Sequence, residues 1–117
     1  MAYDEDFAHR VREQLAAEDG VTEMAMFGGL AFLLRGNMAV GLSSGGELMV
    51  RLGPDSADDA LTRPHTRPFE MKGRPMKGWV LVAPEGVGTE RQLAAWVTRG
   101  VRFARTLPPK GEGPAGG

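Results

Sequence analysis

The sequence predicts an α+β domain in which an antiparallel sheet of about five strands is covered by an N-terminal and a C-terminal helix. Two observations carry this prediction: amphipathic helical patterns stand at the two ends of the chain, and short apolar runs joined by tight turns lie between them. Turns this short cannot hold the crossover that parallel strands need. The expected element order is α-β-β-β(-β)-α-β(-β)-α, and 117 residues fit one such domain.

The first helix is predicted over residues 4–18, where Phe7, Val11 and Leu15 recur every four residues. Acidic residues crowd its first turn and Gly20 follows its end, as the helix dipole and a glycine stop favour.

The last helix has the clearest signals in the chain. Thr89 and Gln92 have the spacing of a capping box, and Pro108 stops the helix. Residues at spacings of three and four form its apolar face: Leu93, Trp96, Val97, Gly100, Val101, Ala104 and Leu107. We assign four of them to the core, namely Leu93, Trp96, Val97 and Val101.

The strands are predicted from three apolar or alternating runs at 24–34, 38–42 and 47–52. The sequences R-G-N and S-S-G-G separate these runs and are typical of hairpin turns. Residues 53–62 then predict a short helix or ordered loop, with Asp55 or Ser56 as its cap. Three prolines limit the next stretch to an edge strand or irregular structure, before a clear strand at 78–82.

Two adjacent glycines interrupt the first apolar run, M-A-M-F-G-G-L-A-F-L-L. We interpret Gly28 and Gly29 as a bulge or bend within the first strand, at a place where another backbone comes too close for a Cβ. A ligand contact is the alternative. A phosphate cradle is disfavoured because the third glycine, the lysine and the following helix of such loops are missing.

The residue inventory offers no credible catalytic set, and we expect no enzyme activity, no cofactor and no metal. The chain has no cysteine and two isolated histidines, His9 and His65. The sequence G-L-S-S-G at 41–45 matches the G-x-S-x-G pattern of the nucleophile elbow found in α/β-hydrolases. We reject a catalytic interpretation, because the tip of a hairpin explains these residues and the chain is too short for the α/β-hydrolase fold.

Composition also bears on location and boundaries. The acidic N-terminus lacks the features of a secretory signal, and no run approaches the ~20 apolar residues of a membrane span. We therefore expect a cytoplasmic protein with no membrane partner. Its domain is expected over 1–108, followed by a disordered Gly/Pro-rich tail over 109–117.

The formal net charge of −1 conceals two halves of opposite sign. Residues 1–62 hold eleven Asp or Glu against four Lys or Arg, and residues 63–110 hold ten Lys or Arg against three Glu. We expect these halves to attract each other within one fold or across a dimer. A nucleic-acid groove is the alternative, with basic residues near Phe69 and Trp79 and a stripe at Arg99, Arg102 and Arg105, but the net charge disfavours it.

Several motifs, in the same order, resemble the TfoX/Sxy N-terminal domain. They are M-F-G-G at 26–29, F-L-L-R-G-N-M at 32–38, L-M-V-R at 48–51, G-R-P-M at 73–76 with the following W-V-L-V, and L-A-A-W-V at 93–97. The resemblance implies a small α+β domain similar to secretion-chaperone-like folds, in which dimers are common, and no established enzymatic activity. Members named for the family regulate bacterial competence beside a transcription factor and carry a second, C-terminal helical domain. We expect a stand-alone N-terminal domain here, with a generic regulatory role.

These observations lead to the hypothesis of a non-enzymatic regulatory or protein-interaction module. We expect a homodimer that works through its sheet face or edge, with a protein partner such as a transcription factor. The candidate interaction surface consists of Phe27, Gly28, Gly29, Arg51, Arg74 and Met76. One alternative is a small-molecule or nucleotide binder, or an uncharacterised enzyme, that holds an anion with Arg35, Arg51, Arg74 and the Gly-Gly bend. Direct DNA binding through the basic half is a third.

Overall fold

A computed structural model describes residues 3–26 and 28–109, except for the side chain of Met71. In chain order the elements are α1 (Glu5–Gln14), β1 (Val21–Met26), β2 (Gly29–Leu34), β3 (Asn37–Leu42), β4 (Leu48–Arg51), α2 (Pro54–Ala60), β5 (Thr66–Met71), β6 (Arg74–Val82), a 3₁₀ turn (Pro84–Gly86) and α3 (Glu90–Ala104). This is the predicted α+β order with both optional strands present.

The described strands form one antiparallel sheet of six, in the order β1-β2-β3-β4-β6-β5. Strands β1 to β4 form a meander, and the β5–β6 hairpin joins it through β6. The turns that join β2 to β3 and β5 to β6 each hold two residues with positive φ, Arg35 with Gly36 and Lys72 with Gly73. Two such residues are the signature of the type I′ turn, whose twist suits a tight hairpin.

The helices pack on one face of the sheet and enclose the hydrophobic core. Alternate residues of the central strands, such as Val50 and Val80, face the helices and are fully buried. A Cβ on Gly100 would lie 2.7 Å from the backbone oxygen of Ala39, so α3 lies directly on β3. The four residues of α3 assigned to the core from sequence are all buried, which confirms that prediction: Leu93, Trp96, Val97 and Val101.

The helix starts follow local chemistry, with one exception. Asp4 caps α1 by accepting from the backbone N–H groups of Asp6 and Phe7, and Thr89 forms the predicted capping box. Helix α1 ends at Gln14, four residues earlier than predicted, and turns continue from there. The cap of α2 is neither Asp55 nor Ser56. It is Gly53 at φ 86°, followed by a proline in the first turn, where a missing N–H costs nothing.

Strand β6 begins four residues earlier than predicted and includes Pro75. Strand β4 pairs only with the second half of β6, from Trp79 to Val82, so the first half has β5 as its neighbour. A proline is tolerated there because one side of the strand needs no hydrogen bond. The prolines of this stretch had predicted an edge strand, and β5, which contains Pro68, is that edge.

The Gly28–Gly29 pair does not bend one strand, as the sequence had suggested. Strand β1 ends at Met26 and pairs with Gly29, the first residue of β2, so the glycines belong to a hairpin turn. Gly28 has φ 76°. The expected close approach is confirmed at Gly29, where a Cβ would clash with the backbone oxygen of Leu42. Phe27 lies outside the described residues.

Candidate interaction surface

The sheet face opposite the helices carries a row of residues in register across all six described strands. The row runs through Met24, Ala31, Gly41, Met49, Leu81 and Arg67. Side chains alternate between the faces of a strand, so this row points away from the core. Ala31, Met49 and Leu81 are buried, but they do not belong to the hydrophobic cluster that packs against the helices. This agrees with their position on the opposite face.

Two methionine side chains cover the centre of this face. A Cβ on Gly41 would lie 2.6 Å from the Cε of Met38 and 2.7 Å from the Cε of Met49, so both methyl groups rest on the glycine. We call this surface the methionine face and define it by six residues: Met24, Leu33, Met38, Met49, Trp79 and Leu81. Among the described residues, the buried side chains of α1, α2 and α3 belong to the core on the other side of the sheet.

The charged groups beside the methionine face have partners within the chain. Arg67 donates from its Nε to Glu47 at 3.0 Å. The Cζ of Arg51 lies 5.7 Å from the centre of the Trp79 ring and 5.6 Å from that of Phe103, which is a cation–π arrangement. Arg67 is therefore paired and Arg51 is stacked, and the six residues that define the methionine face carry no charge.

Strand β1 forms one edge of the sheet and is mostly exposed. Met24 is 49% exposed, more than the other large apolar side chains that the structure describes. The acidic residue of β1, Glu23, is held by Arg12 of α1 at 2.7 and 2.9 Å, and these hydrogen bonds lower its pKa. The opposite edge has a proline in β5, whereas β1 has neither proline nor lysine. An edge of this kind can accept another strand.

The residues predicted for the interaction surface fall into two groups. Gly28 and Gly29 lie at the β1–β2 turn, at the end of the sheet where β6 ends with Val82. Arg51 pairs with Trp79, and Arg74 and Met76 lie further toward the start of β6, near the other end. The methionines that define the face were missed, although the near-continuous apolar runs of β3 and β4 indicate strands that are apolar on both sides.

The histidines and the serine motif have ordinary surroundings. His9 is exposed and lies 3.6 Å from Glu13 one turn along α1, and His65 is exposed after α2. Ser43 accepts hydrogen bonds from the backbone N–H groups of Gly45 and Glu47, as in a hairpin turn. Within residues 3–26 and 28–109, no three His, Cys, Asp or Glu side chains lie close enough to hold a metal ion.

The acidic and basic halves of the chain meet inside this fold. Glu18 accepts from Arg105 at 2.6 Å, and Glu47 pairs with Arg67. The stripe at Arg99, Arg102 and Arg105 is thus divided, because Arg105 is bound to Glu18 in the segment between α1 and β1. No described helix is long and apolar enough to cross a membrane.

A comparison with protein-family models identifies residues 13–104 as a TfoX N-terminal domain. The chain belongs to the TfoX N-terminal domain family. The match begins within α1 and ends with α3, so it includes every strand of the sheet and the whole methionine face. A search of curated proteins found no match to this TfoX N-terminal domain.

Proposed function

We propose that this TfoX N-terminal domain is a non-enzymatic regulatory module that acts by binding protein, and that two copies pack methionine face against methionine face. The observation that carries the proposal is the apolar face itself, which has Met24 at its margin and the methyl groups of Met38 and Met49 at its centre. Met24 is exposed and Leu33, Met38 and Trp79 are half-buried, so part of this face is accessible, and methionine side chains adapt to irregular partner surfaces.

A second copy is the favoured occupant because of the charges around this face. A two-fold interface sets the same patch against itself, so a patch with net charge would repel its own copy. Here Arg67 is neutralised by Glu47, whereas Arg51 keeps its charge and lies against the rings of Trp79 and Phe103. The six residues of the methionine face are themselves uncharged, so two copies can set them together without opposing like charges.

The regulatory partner would bind at a different place. By analogy with the competence regulators for which the family is named, this partner is a transcription factor, and the module would act in the cytoplasm. Strand β1 offers it a mostly exposed edge, to which an extended segment can add a strand. Pairing at this edge leaves the methionine face free, so dimer and partner are compatible.

Sedimentation equilibrium at micromolar to submillimolar protein tests the dimer. Met38→Lys would place a charge at the centre of the interface and should weaken dimerisation at least about tenfold, as loss of a central contact does, and Met24→Lys, at the margin, should weaken it less. Ala95→Lys adds the same charge at an exposed position of α3 and should leave the dimer unchanged. A monomeric mass for the unmodified protein over the whole range would contradict the proposal, and so would equal weakening by all three variants.

A further inference from the structure

A cleft on the helix side of the molecule combines an apolar base with cationic walls. It has a volume of about 230 Å³ and lies between the chain that enters α2 and the end of α3. Leu52 and Phe103 supply its apolar surface, and Arg99 and Arg102 supply its charge. The hydroxyl groups of Ser56 and Thr106 complete the lining.

The position of Arg99 is fixed by the side chain beneath it. Its Cζ lies 5.1 Å from the centre of the Trp96 ring, and Trp96 is a core residue only 9% exposed. A guanidinium stacked on a buried ring is held in place before any ligand arrives, so little entropy is lost when it binds an anion.

The guanidinium groups around the cleft lack close negative partners. Among the described residues, the arginines within 4.0 Å of a carboxylate are Arg10, Arg12, Arg67 and Arg105. Burial lowers the pKa of Arg99, the charge of Arg63 lowers it further and Asp59 raises it, and Arg102 has the smallest effect, which also lowers it. Arg99 and Arg102 thus line the cleft without a carboxylate of the described residues within 4.0 Å, and an anion between them would supply the missing negative charge.

We propose that this cleft binds a small phosphorylated molecule, with the phosphate group between Arg99 and Arg102 and the organic part against Leu52 and Phe103. A single arginine can already pair with both oxygens of a carboxylate, whereas two arginines and a hydroxyl suit the three free oxygens of a phosphate monoester. The Ser56 hydroxyl can donate to that phosphate. The Thr106 hydroxyl donates to the backbone oxygen of Phe103 at 2.6 Å, so its oxygen can accept from a ligand hydroxyl.

A small ligand fits this place better than a nucleic-acid strand. Helix α2, beside the cleft, carries three exposed acidic residues, Asp55, Asp58 and Asp59, which would repel a phosphate backbone passing over it. The volume suits a phosphate with one ring or a short chain. The residues that the sequence had suggested for an anion, Arg35, Arg51 and Arg74, do not line this cleft.

Titrations of ¹⁵N-labelled protein with inorganic phosphate and with phenyl phosphate, followed by NMR and calorimetry, test the proposal. Phenyl phosphate should bind at least about threefold more tightly, because burial of its ring adds a hydrophobic contribution. Amide shifts should concentrate at the start of α2 and the end of α3. Arg102→Gln should weaken binding about tenfold, the loss expected for one charge-assisted contact.

The controls separate this site from general electrostatics and from the dimer. Arg102 is exposed, so Arg102→Gln should keep the native spectrum, and Arg91→Gln makes the same charge change on α3 outside the cleft. Arg91→Gln should leave the affinity within about twofold, and Met24→Lys should leave it unchanged, since the methionine face is on the other side of the sheet.

Several results would overturn the proposal. The first is absence of binding at about 10 mM phenyl phosphate, which is a weak affinity limit for a ligand of this size. The second is equal weakening of binding by Arg91→Gln and Arg102→Gln. The third is equal affinity for inorganic phosphate and phenyl phosphate. A single-stranded oligonucleotide that binds more tightly than phenyl phosphate, with steep salt dependence, would also overturn it in favour of a nucleic-acid surface.

Discussion

The side-chain amide of Asn37 donates a 2.8 Å hydrogen bond to the backbone oxygen of Pro108. Asn37 is the first residue of β3 and is 6% exposed, the one buried polar or charged side chain among the residues that the structure describes. Pro108 follows α3. The bond therefore joins the chain after the last helix to the strand on which that helix packs.

Asn37→Ala should lower the free energy of unfolding by about 0.5–1.5 kcal/mol, because the half-buried hydrogen bond to the Pro108 carbonyl is lost. Asn37→Asp has the same shape but cannot donate when ionised, so it should also destabilise the protein. Ser44→Ala, at an exposed turn position, should change little. Urea unfolding of the three variants measures these effects. Full stability of both Asn37 variants would show that the hydrogen bond contributes nothing.

The two glycines of the β1–β2 turn should respond differently to alanine. Gly29→Ala forces a Cβ against the Leu42 backbone oxygen, which cannot move without disturbing β3, and should cost about 3 kcal/mol, the upper range for overpacking. Gly28→Ala would place a Cβ on a residue with φ 76°, which should cost about 1–2 kcal/mol. Thermal unfolding of both variants gives the order. A larger loss at Gly28 would contradict this account of the pair.

Local signals explain which parts of the fold could be predicted. The capping box of Thr89 and Gln92 involves atoms three residues apart, so sequence suffices to find it. The start of β6 was missed because Pro75 argues against a strand, and only the sheet order shows that β4 stops short of it. The predicted first strand is in fact two strands, β1 and β2, that pair with each other on either side of Gly28. This was missed because an apolar run does not show which segment it pairs with.

The candidate sites depend on packing that no local pattern contains. Strands β3 and β4 are apolar on both faces, so alternation cannot tell which face the helices cover. Arg99 and Arg102 were visible as members of a stripe on α3. The cleft that they line also needs Leu52 and the start of α2, which lie almost fifty residues earlier in the chain. The topology of the fold brings these segments together, and the spacing of residues along the sequence does not show it.

The two tryptophans should differ in their contribution to stability because they lie on opposite faces of the sheet. Trp96 is in the core under α3, so Trp96→Ala should cost about 3–5 kcal/mol. Trp79 is only half-buried and packs against Phe69 in a tilted arrangement, with ring centres 5.8 Å apart and ring planes at 52°. Trp79→Ala should therefore cost clearly less. Denaturant unfolding of both variants, measured at the same low protein concentration, tests the comparison. Unchanged stability of Trp96→Ala would contradict its core assignment.

The Arg12–Glu23 pair should make part of the stability depend on pH. The hydrogen bonds from Arg12 hold the pKa of Glu23 below its ordinary range, despite an opposing effect of burial. A carboxyl with a lowered folded-state pKa stabilises the fold above its unfolded-state pKa, about 4.3, and this contribution is lost as the pH falls through the folded-state value. The pair is about one-third exposed, so solvent screening limits its contribution to about 0.5–1 kcal/mol.

Glu23→Gln should accordingly lower the free energy of unfolding by that amount at neutral pH, where Glu23 is ionised in both states. The difference from the unmodified protein should shrink as the pH falls below about 4 and as salt is raised to about 1 M. Glu85→Gln, at an exposed position of the 3₁₀ turn, is the matched control and should show no such dependence. Urea unfolding across this pH range provides the measurement. A difference that stays constant with pH would mean that Glu23 acts through packing rather than through its charge.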